Sequence, residues 1–162
     1  MIFFDFFFYY IVLYADSYKA KYIFSKPANS YIYFDDLTKN HYASFSETPI
    51  TKFKLKKNSE YEGSKTILSS LKKGEMALTY EKARENTLSL SEPSSDIDQV
   101  VYIVYSQQFD GAEIKINDKC LTSGAIEPYF SQCEKTKFQI WSILDKDHIS
   151  KTDNKVKDGD FL

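Results

Sequence analysis

A short phrase recurs three times along this chain, and it restricts the fold more than any other feature of the sequence. The pair Leu-Thr occurs at Leu37-Thr38, Leu78-Thr79 and Leu121-Thr122, 41 and 43 residues apart. Downstream of each lies a related triplet: Phe45-Ser46-Glu47, Leu90-Ser91-Glu92 and Phe130-Ser131-Gln132. Further on, Thr51-Lys52-Phe53 matches Thr136-Lys137-Phe138, which sets Lys56 opposite Trp141, while Gln99 and Val101 align with Gln139 and Trp141. Upstream, Tyr61-Glu62-Gly63-Ser64 resembles Phe109-Asp110-Gly111-Ala112. A unit of about 42 residues cannot bury its own apolar face, so three such units must close one common core.

The local pattern within each unit is β. Tyr31–Phe34, Val100–Tyr105 and Ile114–Ile116 are short runs of β-branched and aromatic residues. Turn-forming stretches such as Lys26-Pro27-Ala28-Asn29 and Asp110-Gly111 separate them. Met76–Arg84 has the composition of a helix, but the repeat places Met76–Tyr80 opposite two β copies, so a strand is expected there, with a looped insertion after it. The Lys52–Lys57 segment alternates lysine with apolar residues and reads as a strand with one wet face. About four short strands in each of three copies predict an all-β, pseudo-threefold closed body, the β-trefoil, over residues 16–143. The remainder, 144–162, reads as a tail or a partial fourth repeat.

The third copy carries a fuller signature. Lys119-Cys120-Leu121-Thr122, then Cys133, then Gln139-Ile140-Trp141 resembles one repeat of the ricin B-type lectin family. That family has a Cys-Leu strand, a partner cysteine on the next strand and Gln-x-Trp on the last. The resemblance implies a trefoil with a half-buried Trp141 and a structural Gln139. It also implies where a sugar would sit. The carboxylate position of the family falls at Thr38, Thr79 and Thr122, its asparagine position at Phe53, Asp98 and Phe138, and its aromatic platform at Ser46, Ser91 and Ser131. No copy keeps the set. Asp98 can still accept hydrogen bonds from sugar hydroxyls. Tyr80 and Tyr129 are rings placed to touch a ligand.

The opening MIFFDFFFYYIVLYA is too short to cross a bilayer, which takes about 20 apolar residues. It suits the apolar region of a secretory signal occupying residues 1–15, cleaved after Ala15, and the competing reading is a buried first strand. If it is a signal, the compartment is oxidising. A Cys120–Cys133 bridge, closing a loop of 13 residues, would then contribute roughly 3 kcal/mol. Two cysteines without a nearby histidine do not make a zinc site.

A net charge of -2 and an isoelectric point near 5.7 argue against nucleic acid as a partner. No phosphate loop, His-Glu-x-x-His or Gly-x-Ser-x-Gly motif is present, and His41 and His148 stand outside every matched phrase, as solvated surface residues. The chain therefore reads as a secreted binding module without catalysis, metal or cofactor. Its expected partner is a glycan or a cell-surface protein. The alternatives are a sugar-blind adhesion, coat or toxin-accessory module and a trefoil-type protease inhibitor.

Overall fold

The computed structural model describes residues 19–38, 40–147 and 149. The leader with its cleavage point after Ala15, His148, and the chain after Ile149 lie outside the described residues. Twelve short strands follow one another: β1 (Lys21–Ser25), β2 (Ser30–Phe34), β3 (Ala43–Ser46), β4 (Lys54–Lys57), β5 (Lys65–Leu71), β6 (Gly74–Glu81), β7 (Thr87–Ser91), β8 (Tyr102–Tyr105), β9 (Ala112–Ile116), β10 (Lys119–Ser123), β11 (Pro128–Gln132) and β12 (Ser142–Asp145). Met76–Tyr80 is strand despite its helical composition, because β6 is paired on both sides, by β5 and by β7. Local propensity yields there to the sheet around it.

The three copies are visible in the ladders. In each, the first strand meets the residue just before the fourth: Lys21 with Phe53, Lys65 with Val101 and Ala112 with Trp141, every pair exchanging two backbone hydrogen bonds. Each fourth strand then pairs with the first strand of the next copy, β4 with β5 and β8 with β9, and β12 returns to β1. That last pairing closes the body, and it runs to Asp145, two residues past the boundary expected at 143.

The same registers stack the core in layers of one residue per copy. Ile23, Ile67 and Ile114 form one layer, Ile32, Leu78 and Leu121 a second, and Phe53, Val101 and Trp141 a third, all fully or almost fully buried. Burying a branched aliphatic side chain of this kind is worth about 1.5–3 kcal/mol, so such layers dominate the stability. Gly111 is dictated by the third layer: its φ is 138°, and a Cβ there would lie 2.6 Å from the Trp141 carbonyl oxygen.

Two sequence alignments of the first copy are corrected by this register. Leu37-Thr38 does not correspond to Leu78-Thr79; Ile32-Tyr33 does, since Ile32 faces Phe45 as Leu78 faces Leu90. Leu37 is 80% exposed in the turn after β2. The Trp position of the first copy is Phe53, not Lys56, and its Gln position is Thr51. The second and third copies insert a 3-10 turn before the fourth strand (Ile97–Gln99 and Lys137–Gln139), and the first copy has none. Phe53 and Phe138 are thus not equivalent: the first is fully buried and the second 45% exposed.

Candidate functional site

In the second and third copies, two of the three positions where the family resemblance placed a sugar pocket, the threonine and the serine, belong to a closed polar network. Gln99 Nε2 donates to Thr79 Oγ1 (3.2 Å), Ser91 Oγ (2.9 Å) and the Glu92 carbonyl (2.9 Å), and its Oε1 accepts from Ser94 N (2.8 Å). Gln139 repeats this with Thr122 (3.2 Å), Ser131 (3.1 Å), the Gln132 carbonyl (2.8 Å) and Glu134 N (2.8 Å). Thr79 and Thr122 are buried, so these hydroxyls satisfy one another and the backbone instead of facing a ligand. Trp141 is wholly buried, not half-buried, with its indole N–H on the Leu121 carbonyl at 2.8 Å.

The three candidate ligand residues stand in different settings. Tyr80 lies in the core, edge-on to Phe130 at 5.0 Å, with its hydroxyl on Asn86 Oδ1 at 2.5 Å. Burial, and then the Asp98 charge, push its phenol above the usual range. Tyr129 is exposed on β11, where it packs over Gly124. Asp98 sits in the 3-10 turn of the second copy, and its Oδ1 accepts from Asn117 Nδ2 at 2.5 Å.

Asp98 leads to a groove that no motif had marked. The groove runs along the joint between the second and third copies and encloses about 490 Å³. Tyr61, Ile97, Tyr102 and Val104 line it with apolar surface, and Lys115, Asn117 and Asp118 with polar groups. Tyr102 and Val104 face outward because alternate residues of β8 point to opposite sides of the sheet. Lys115 is directly across the ladder from Tyr102. Asn117 and Asp118 form the β9–β10 turn, both at positive φ (53° and 60°), a conformation Asn and Asp tolerate. Burial raises the Asp98 carboxyl above the usual carboxylate range, with Asp96 and Glu81 adding to the rise and Lys82 and the Asn117 hydrogen bond opposing it. The alternation of Tyr102-Ile103-Val104 and the turn pair Asn117-Asp118 were the available sequence signals.

A cleft of about 540 Å³ between the segment before β3 and the strands β6 and β7 is polar and carries Glu75, Glu81 and Glu92. Its Tyr42 ring is covered by the Arg84 guanidinium at 3.7 Å. His41 lines this cleft but is only 7% exposed, with Nδ1 3.1 Å from the Asp35 carbonyl oxygen, so it is not the surface residue expected. Cys120 and Cys133 are bridged, joining β10 to the segment after β11. Among the described residues no helix is long and apolar enough to cross a membrane.

No protein-family model and no curated protein matches this chain. Solved structures do. One is Cry35Ab1, with a TM-score of 0.69 and 14% identity over 80% of this chain and 36% of that one. A second is the BEL β-trefoil, with a TM-score of 0.64 and 14% identity over 78% of this chain and 92% of the other. This chain is a β-trefoil. SeviL, solved bound to the asialo-GM1 saccharide, overlays the trefoil with a TM-score of 0.62 and 11% identity over 80% of this chain and 98% of its own. The trefoil spans about a third of the length of Cry35Ab1.

Proposed function

We propose that this trefoil is an extracellular recognition module that binds a glycan in the groove between its second and third copies. The observation that carries the reading is the composition of that groove. The Tyr61 and Tyr102 rings offer faces for sugar C–H groups, and Asn117 and Asp118 offer polar groups to meet hydroxyls. Asp98 occupies one Asn117 N–H, which leaves the amide oxygen and the second N–H for a ligand. A largely apolar concavity with a few convergent polar groups is the usual form of a small-ligand site. SeviL, of the same fold, is solved with a saccharide. The Cys120–Cys133 bridge suits an oxidising compartment, as does the leader read as a signal.

A glycan array tests the reading. Saturable binding is expected, with Tyr102→Ala and Asn117→Ala each weakening it at least tenfold, about 1.4 kcal/mol. Tyr129→Ala, outside the groove, leaves it unchanged. A clean array alongside intact binding to cells, or full glycan affinity in Tyr102→Ala, overturns the reading.

A further inference from the structure

The pseudo-threefold axis that relates the copies carries the groove of the second joint onto the third. There β12 of the last copy meets β1 of the first. Ser142 pairs with Phe24 as Tyr102 pairs with Lys115, so Ser142 stands where Tyr102 does. Counting from that register, Ile140 replaces Val100, Lys137 replaces Ile97, and Lys26-Pro27 replaces Asn117-Asp118. Phe109, from the loop before β9, takes the role of Tyr61 from the loop before β5. These residues line a concavity of about 330 Å³.

The two related grooves differ in charge. In the first, Lys115 is balanced by Asp118, and Asp98 adjoins through Asn117. In the second, Lys26 and Lys137 outnumber Asp110. The Lys26–Asp110 pair is long, at 3.9 Å, and highly exposed on both sides, so it holds little of the lysine's charge. Lys137 lies 5.4 Å from the centre of the Phe138 ring and remains exposed. The Phe109 ring, Pro27 and Ile140 line the same concavity as the two lysines. An anionic group takes the lysines, and an attached pyranose has an apolar surface to rest on.

We propose that the groove at the third joint is a second saccharide site, selective for a sugar that carries a carboxylate or a sulfate. The inference rests on the glycan reading of the module, but it concerns different residues and a different charge class. Occupied together with the first groove, it would make the module bivalent toward one branched or extended glycan, and the two contacts would reinforce each other through effective concentration.

The test titrates the full chain, labelled with nitrogen-15, with lactose, sialyllactose and sulfated lactose. Amide shifts at Phe109, Lys137 and Ser142 are expected with the sialylated or the sulfated sugar and not with lactose. Response to the first alone assigns a carboxylate and to the second alone a sulfate. Lys26→Ser with Lys137→Ser, both at exposed positions, should weaken that binding about tenfold, and raising salt should weaken it as well. Tyr102→Ala should not change it. If lactose binding at the first groove is lost in Tyr102→Ala while neither anionic sugar moves the second, the glycan reading stands and this inference fails. Shifts at Phe109 and Ser142 that survive the double lysine substitution also overturn it.

Discussion

The second and third copies build the same glutamine-centred network from different surroundings. Gln99 and Gln139 bridge the same four kinds of partner, at distances that agree to within about 0.2 Å. Yet the third copy adds a disulfide and a buried Trp141, where the second has Ala77 and Pro93 at the cysteine positions and Val101 in the core layer. The fold therefore requires a polar group to satisfy the backbone at the 3-10 turn and an apolar residue behind it. It does not require the cysteines or the indole. The first copy takes this further. Without a 3-10 turn it dispenses with the glutamine, and Thr51 Oγ1 accepts from Phe34 N at 3.0 Å instead.

The largest expected difference between the copies is in the shared core layer. Trp141→Ala removes the biggest buried side chain and leaves the Leu121 carbonyl without its donor. It should cost ~3–5 kcal/mol, against ~1–3 kcal/mol for Val101→Ala at the equivalent position. Urea unfolding midpoints check this. Equal losses would mean that the layer is not filled in proportion to side-chain volume and that the threefold equivalence is only formal.

A smaller effect sharpens the identity of the networks. Gln99→Ala and Gln139→Ala each strip one backbone N–H, one carbonyl and two hydroxyls of a partner. Each should cost about 1–3 kcal/mol, and the two losses should be close to one another. The sites share no hydrogen-bond partner, so the double variant should lose the sum to within about 0.5 kcal/mol. A much smaller loss at Gln139 would show that the neighbouring disulfide holds the turn by itself.

The third copy was the legible one. Cys120, Cys133, Gln139 and Trp141 are rare residue types at diagnostic spacings, and the structure keeps them in one place. The first copy misled because common residues fill its key positions. Leu37-Thr38 imitates the repeat phrase from inside a turn, while the true equivalents, Ile32-Tyr33, share no letters with it. Phe53 was matched to Phe138 through a run of similar residues, across a length change that only backbone pairing reveals. The groove was least legible of all. Tyr61, Tyr102 and Asn117 come from three separated elements and meet only when the fourth strand of one copy pairs with the first strand of the next. Asp98 alone was marked beforehand, for a pocket that the Thr-Ser-Gln network fills.

The finest distinction between the two copies lies one residue before the glutamine, Asp98 in the second and Phe138 in the third. Phe138 carries no charge, whereas the Asp98 carboxyl is raised above its ordinary range by burial and by Asp96 and Glu81. The folded chain then holds the Asp98 proton more tightly than the unfolded chain does. Its contribution to stability is full below the unfolded value, about 3.9, and is lost as pH rises through the folded value. Asp98→Asn removes the charge but keeps an oxygen that can accept from Asn117. It should therefore raise the melting temperature slightly at pH 7. At about pH 3 the wild-type carboxyl is also mostly protonated, and the gain should vanish. Melting curves at the two pH values decide it. A loss at pH 7, or an equal gain at both, would mean that Asp98 is held by its bond to Asn117 more than it is strained by its acidic neighbours.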